Sequence, residues 1–200
     1  MSLTDRLALH ALSRPEHPAL AWPEGQIGYR ALLQQVEAAA ALLQQTGVER
    51  LALDVENGPA WVVLDIAAMQ LGICLIPLPP FFSPDQLHHV LRHSATQAVL
   101  TDDPQRLRKR IGKLLVDADS SLQVAASQLA WIETAAAVGG EEKKLLPEGV
   151  NKITFTSGTT GDPKGVMLSW AQIRPVVESL AGATLMACLL YTSPSPRDSC

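Results

Sequence analysis

Small, hydroxylated and basic residues are concentrated in one short segment, residues 156–165, which reads TSGTTGDPKG. Its three glycines permit unusual backbone angles and close approach of a ligand to the main chain, whose N–H groups can then surround an anion. Four hydroxyl side chains add donors for phosphate oxygens, and Lys164 adds a positive charge. The composition of this segment therefore predicts a phosphate-binding loop.

The spacing within the segment excludes several familiar motifs. A Walker loop has a second glycine five residues after its first, followed directly by lysine. Five residues after Gly158 this chain has Pro163, so the pattern is broken. The dinucleotide pattern G-x-G-x-x-G and the hydrolase pattern G-x-S-x-G are also absent. The β-rich runs KITFT and VMLSW flank the segment, so we expect it to join two strands rather than to open a helix. A glycine-rich turn that binds no ligand is the alternative, and the hydroxyl groups and the lysine argue against it.

Strand-like and helix-like runs alternate along the chain before this loop. Apolar strands are predicted at residues 51–55, 73–78 and 98–101, with helices at 57–71 and 83–93 between them. This order favours right-handed crossovers and a parallel sheet. We therefore predict an α/β fold, with a mostly parallel sheet covered by helices.

The predicted domain organisation has four parts. Residues 1–134 form an N-terminal α/β subdomain, in which the region 114–133 is expected to contain one or two strands and a short helix. Residues 135–149 contain two adjacent glycines and a charged run, and are predicted to be an exposed connector. Residues 150–187 begin a second subdomain that carries the phosphate-binding loop. Residues 188–200 are expected to be a non-native tail, because CLLYTSPSPRD (188–198) resembles a translated sequencing adapter; a natural Ser/Pro-rich tail is the alternative.

The run ITFTSGTTGDPKGVMLS, residues 153–169, resembles the signature loop of the AMP-binding, acyl-adenylate-forming superfamily. That superfamily includes acyl-CoA synthetases, luciferases and the adenylation domains of peptide synthetases. The strand–helix–strand unit with Asn57, Ala67, Gly72, Pro77 and Pro79 is also similar to the N-terminal half of such enzymes. The resemblance implies the N-terminal, incomplete part of the large domain of an adenylate-forming enzyme.

Enzymes of this superfamily let a carboxylate attack the α-phosphorus of ATP, release pyrophosphate, and pass the acyl group to a thiol. The loop holds the β- and γ-phosphates, and Mg²⁺ shares their charge. No catalytic residue and no metal ligand is assigned to this chain, because the family's catalytic lysine, magnesium glutamate and adenine-binding segment lie further along its members; we expect the chain alone to be inactive. The resemblance implies that ATP phosphate is bound by Thr156, Ser157, Gly158, Thr159, Thr160, Gly161 and Lys164.

Three functions are compatible with this resemblance. The first is an N-terminal fragment of an AMP-forming acid–thiol ligase of the acyl-CoA synthetase type, which uses ATP, Mg²⁺ and coenzyme A on a small carboxylic acid, in fatty acid metabolism. The second is an adenylating enzyme that loads an acyl or aminoacyl group onto a carrier protein. The third is a non-catalytic nucleotide-binding module that lacks the downstream lysine.

Composition narrows the possible partners and the location. The formal net charge is −4, which does not suggest nucleic acid, and we interpret the basic residues between 106 and 113 as a solvated helix face. The most apolar stretch, residues 66–82, is interrupted by Gln70, Gly72 and three prolines, so no transmembrane segment is predicted. The N-terminus does not resemble a secretory signal, and the three cysteines have no paired spacing; a cytoplasmic protein is expected.

One further cluster could bind a metal. His88, His89 and His93 lie on a single predicted helix, where the spacing of His89 and His93 would let them share an ion. No carboxylate or cysteine beside them completes a site. We therefore expect a partly exposed helix face rather than a metal centre.

Overall fold

The computed structural model describes residues 2–116, 120–135, 146–156 and 162–183. Its helices are α1 (Leu3–Ser13), α2 (Tyr29–Thr46), α3 (Pro59–Leu71), α4 (Pro84–His93), α5 (Pro104–Ile111) and α6 (Trp170–Ala183). Its strands are β1 (Pro18–Trp22), β2 (Gly25–Gly28), β3 (Arg50–Asp54), β4 (Cys74–Pro77), β5 (Ala98–Thr101), β6 (Ser120–Val124), β7 (Ser127–Glu133), β8 (Val150–Thr156) and β9 (Lys164–Ser169).

Strands β3–β9 form one sheet in the order β6-β7-β5-β3-β4-β8-β9. The four central strands β5, β3, β4 and β8 run parallel. Antiparallel strands extend this centre at both edges, with β7 and β6 at one edge and β9 at the other. Strands β1 and β2 form a separate antiparallel hairpin. The predicted α/β class, a mostly parallel sheet covered by helices, is confirmed.

Helices pack on both faces of the sheet because the side chains of its central strands alternate between two apolar cores. Leu51 and Leu53 of β3 contribute to one core together with α2 and α3. Ala52 of the same strand contributes to the other core together with α4 and α5. Burial on both faces explains why the central strands read as continuous apolar runs rather than as alternating ones.

Several helix ends follow directly from the sequence. α2 and α3 stop at Gly47 and Gly72, which adopt the left-handed backbone angles φ 65° and 71° that glycine accepts without strain. At the start of α4, the Ser83 side chain accepts a hydrogen bond from the Gln86 backbone, and the Gln86 side chain accepts one from the Ser83 backbone.

The structure defines the elements of one region that the sequence left unclear and corrects the prediction at Trp170. The region left open at 114–133 contains the antiparallel strands β6 and β7, and β7 pairs with β5. Trp170, expected at the end of a strand, is instead the first residue of α6. Its N–H donates to Asn151 Oδ1 at 2.8 Å, and the Gln172 side chain accepts from the N–H of Ser169, so the chain turns into a helix here.

The boundary between the two subdomains stays a prediction. β8 extends the same sheet by pairing with β4, and residues 136–145 of the predicted connector lie outside the described residues. The predicted tail at 188–200 also lies outside them. Within the described ranges, no helix combines the length and the apolar character needed to cross a membrane.

Candidate nucleotide-binding site

The predicted loop joins β8 to β9 at the turn end of their hairpin. The strand register places Thr156 opposite Lys164, and the Thr156 hydroxyl donates to the Lys164 carbonyl at 3.5 Å. The side chains of both residues are exposed. Of the predicted phosphate contacts, the structure thus brings two together across the hairpin. The remaining five lie outside the described residues and stay predictions: Ser157, Gly158, Thr159, Thr160 and Gly161.

The hairpin presents this end at the carboxyl edge of the parallel strands, because β8 runs parallel to β4. Open α/β sheets bind their ligands at that edge. A cleft of about 860 Å³ lies there, lined by residues 53–57 at and after the end of β3, residues 77–81 at and after the end of β4, and Thr154 and Phe155 of β8. The end of β8, from which the predicted loop begins, therefore lies beside a cleft large enough for a small-molecule ligand.

Gly165 packs closely against its neighbours at the base of the loop. It lies opposite Phe155 in the register, and a Cβ at this position would stand 3.1 Å from two Phe155 ring carbons and 3.2 Å from Ile153 Cγ2. The Phe155 ring thus occupies the space that a side chain at position 165 would need. The sequence predicts close approach of a ligand at the loop glycines. At Gly165 the group that approaches the backbone closely is instead the Phe155 ring.

Lys152 joins the base of the hairpin to helix α3. Its Nζ lies 2.8 Å and 2.9 Å from the two carboxylate oxygens of Asp65, and 4.9 Å from the centre of the Trp61 ring. Backbone pairing between β4 and β8 is short, with Leu75 opposite Lys152. The contact between Lys152 and Asp65 therefore strengthens an attachment of the hairpin that rests on only a short stretch of strand pairing. This contact was not predicted from the sequence, because Asp65 lies far from Lys152 along the chain.

His89 contacts the other end of the hairpin. Its Nε2 lies 3.0 Å from the carbonyl oxygen of Pro163, and its ring is centred 3.9 Å from that of His93. His88 and His89 are half-buried and His93 is exposed, in agreement with a partly exposed helix face. Among the described residues, no group of three or more histidine, cysteine, aspartate or glutamate side chains is arranged to hold a metal ion.

A buried carboxylate lies where β3 and β5 end, beside helix α5. The Asp54 side chain is 3% exposed, accepts from the Thr101 hydroxyl at 3.0 Å, and is 3.3 Å from an Arg106 nitrogen. Burial alone lowers the pKa of the Arg106 guanidinium, but the charge and hydrogen bond of Asp54, with the neighbouring Asp102 and Asp103, raise it overall. Arg106 therefore stays charged.

The interpretation of the basic run as a solvated helix face is wrong for Arg110 and describes Arg106 only in part, because the Arg106 side chain is 37% exposed but paired. Arg106 is bound to Asp54, and Arg110 has a side chain only 16% exposed. Arg110 donates to the carbonyls of Pro80 and Phe82 at 3.1 Å and 2.6 Å. These bonds fasten the loop after β4 that lines the cleft. The sequence could not show this because the partners lie far away along the chain.

Relatives with established names match most of this chain but only a small part of their own length. The chain is 26% identical to surfactin synthase subunit 1 of Bacillus subtilis over 168 residues, and the matched region covers 82% of this chain and 4% of that protein. It is 29% identical over 159 residues to tyrocidine synthase 2 of Brevibacillus parabrevis, covering 77% and 4%. It is 27% identical over 197 residues to phosphinothricin tripeptide synthetase PhsC of Streptomyces viridochromogenes, covering 92% and 17%.

Solved structures share the fold. The crystal structure of VinN superposes with a TM-score of 0.67 at 22% identity, over 91% of this chain and 49% of that one. The O-succinylbenzoate coenzyme A synthetase MenE from Bacillus subtilis, in complex with AMP, superposes with a TM-score of 0.64 at 20% identity, over 88% and 44%. This chain thus spans about half the length of these structures.

The match to a known family covers nearly the whole chain. The AMP-binding enzyme family matches residues 7–195, which include the hairpin, the loop between its strands and the cleft beside them. The mostly parallel sheet with helices on both faces agrees with the fold of these solved structures. The chain belongs to the AMP-binding enzyme family.

Proposed function

We propose that this chain is the first part of an adenylation domain that activates an amino acid, or a related small carboxylic acid, and loads it onto a carrier protein. The observation that carries the proposal is the hairpin geometry: Thr156 and Lys164 face each other, exposed, beside the cleft at the carboxyl edge of the sheet. A positive charge and a hydroxyl donor at that point suit the terminal phosphates of ATP.

In this proposal the described residues position ATP and neutralise charge. The Lys164 ammonium and the Thr156 hydroxyl contact the β- and γ-phosphates, together with residues 157–161 of the loop. The carboxylate of the acid attacks the α-phosphorus, an acyl–AMP bond forms, and pyrophosphate leaves with the electron pair of the broken P–O bond. Positive charge at the leaving group stabilises that transition state. Mg²⁺ would share the phosphate charge, and we assign none of the described residues to it.

The relatives favour the second of the functions that the sequence left open. One is a tripeptide synthetase by name, and VinN has also been solved in complex with L-aspartate, at a TM-score of 0.65. These names support an amino acid substrate, and the carrier protein is the acceptor that the resemblance to peptide-synthetase adenylation domains implies. The expected fatty acid substrate and coenzyme A acceptor find no support in the names of the three relatives described above. A cytoplasmic location stays a prediction.

The proposal is tested by acid-dependent exchange of pyrophosphate into ATP, measured with the complete protein in which this chain lies. A panel of amino acids, aryl acids and fatty acids is supplied, followed by coenzyme A or a carrier protein as acceptor. We expect exchange with an amino acid or small acid and transfer to the carrier protein. Exchange with fatty acids alone, or transfer to coenzyme A alone, would defeat the proposal. ATP binding without exchange for any acid would support the non-catalytic module instead.

A further inference from the structure

We infer that His89 is a positioning residue for the phosphate-binding loop, which it holds through the carbonyl group of Pro163. The contact joins helix α4 to the end of the loop, and Pro163 directly precedes Lys164. The contact itself is independent of the function proposed above. Its importance for ATP rests on that proposed function.

The bonded carbonyl has a particular need for a partner. Pro163 is buried, and proline has no backbone N–H, so its carbonyl is its one backbone hydrogen-bonding group. A buried carbonyl left without a partner costs free energy. His89 Nε2 supplies the donor at 3.0 Å. Because this carbonyl belongs to the peptide group that joins Pro163 to Lys164, the bond fixes where the lysine backbone begins.

His89 is itself held in place, so it can act as a fixed point. The next residues of α4, Val90 and Leu91, are fully buried in the core, and the capping box at Ser83 fixes the start of the helix. The His89 ring also packs against the His93 ring, with centres 3.9 Å apart. A donor on such a helix orients its acceptor at little further entropic cost.

Two side-chain contacts hold the hairpin from opposite faces of the sheet. Asp65 of α3 binds Lys152 at the base of β8, and His89 of α4 binds Pro163 at the start of β9. Helices α3 and α4 belong to different apolar cores. The hairpin is therefore held near the start of β8 and again just before β9. The loss of the His89 contact would loosen the second of these points, which is next to Lys164.

The contact with the Pro163 carbonyl requires a hydrogen-bond donor on residue 89 but no charge. Both the Nε2-protonated neutral ring and the imidazolium donate from this atom. His89→Gln retains an N–H donor of similar reach, whereas His89→Phe retains a ring that can pack against His93 but has no donor. His88→Gln is the matched control, because His88 is the neighbouring residue on the same helix and is also half-buried.

Two measurements test the inference separately from the proposed function. The first is hydrogen exchange at residues 164–169 of this 200-residue chain without any ligand. For His89→Phe we expect exchange about fivefold faster, the effect of losing one typical hydrogen bond. His89→Gln and His88→Gln should stay within about twofold of wild type, and exchange in β5 should be unchanged in all variants. The second is the steady-state kinetics of the complete protein, where His89→Phe should raise KM for ATP with little change in kcat.

The outcomes separate the two claims. Unchanged exchange in His89→Phe, or exchange that is equally fast in His89→Gln, would overturn the positioning role whatever the enzyme does. Faster exchange in His89→Phe with rescue by His89→Gln supports the contact. If the wild-type protein then shows no ATP-dependent reaction, the proposed function fails while the contact stands. A loss of kcat with unchanged KM for ATP would overturn the link between His89 and nucleotide binding.

Discussion

The ammonium group of Lys152 on β8 lies 2.8 Å from the carboxylate of Asp65 on α3. Their side chains are 15% and 21% exposed, so the pair is largely shielded from water. Trp61, one helical turn before Asp65, places its ring 4.9 Å from the same ammonium group. The hairpin that carries the predicted phosphate loop is thus joined to α3 by one lysine with two different partners.

We expect Lys152→Met to lower the free energy of unfolding by about 1–3 kcal/mol, because it leaves a shielded carboxylate without its cation. Asp65→Asn should cost a similar amount, and the double variant should cost less than the sum of the two. Urea denaturation of the chain and its variants gives these values.

The control for this cycle is the exposed pair Arg174–Glu178 on α6, whose side chains are 45% and 43% exposed. Arg174→Gln should cost less than about 0.5 kcal/mol. Equal losses at positions 152 and 174, or additive losses at 152 and 65, would show that the Lys152–Asp65 pair has no special part in holding the hairpin.

Gly165→Ala should destabilise the hairpin by about 1–3 kcal/mol, because the added methyl group would displace the Phe155 ring. Gly112→Ala is the matched control, since a Cβ there meets no atom within 4 Å and its backbone, φ −50° and ψ −30°, suits alanine. That control should be neutral or stabilising by about 0.4–1 kcal/mol. Thermal and urea unfolding compare the two variants; equal effects would contradict the packing role of Gly165.

Lys164→Met should weaken ATP binding by the complete protein about tenfold or more, because one charge-assisted contact to phosphate is lost. The proposed function requires this loss to be much smaller for AMP, which lacks the β- and γ-phosphates. Lys109→Met, which removes an exposed lysine from α5, is the control. Calorimetric titration with both nucleotides measures the difference; an equal loss for ATP and AMP would place Lys164 away from the terminal phosphates.

Cys74 should be chemically inert in the folded chain. Its side chain lies in the core, and burial raises the pKa of its thiol to about 11, against a weaker opposite effect of Arg50. At pH 8 the thiolate is about a hundredfold scarcer than for an ordinary thiol of pKa about 9, and the reagent must also reach it.

Iodoacetamide labelling at pH 8, read peptide by peptide with mass spectrometry, measures this inertness. Labelling of Cys74 should be at least about a hundredfold slower than in concentrated urea, and should rise with pH as the thiolate forms. Rapid labelling of Cys74 under native conditions would contradict the burial of β4.

The local elements of this fold could be predicted from the sequence because their signals are local. Gly47 and Gly72 end helices, Ser83 begins one, and apolar runs mark β3, β4 and β5. The strand–loop–strand form of the phosphate segment could be predicted in the same way, from β-rich residues on both sides of a glycine-rich turn. The order of strands in the sheet could not, because β8 finds its place beside β4 through contacts between distant residues.

The charged contacts were the least predictable part of the site. Arg106 and Arg110 lie in a run that has the composition of a solvated helix face, and only the fold brings Asp54 and the Pro80 carbonyl to them. His89 likewise has no local feature that indicates Pro163 as its partner. Contacts of this kind depend on tertiary structure, and a single sequence carries no direct signal for them.

The pairing of β8 with β4 also has a consequence for the kinetics of folding. Strands β3, β4 and β5 are close in sequence and can assemble early, whereas the ladder between β4 and β8 joins residue 75 to residue 152. Closing so long a loop is entropically costly, and contacts of high sequence separation form slowly. We therefore expect the hairpin to dock late and β4 to present an unpaired edge until then, on which a second unfolded chain can nucleate aggregation.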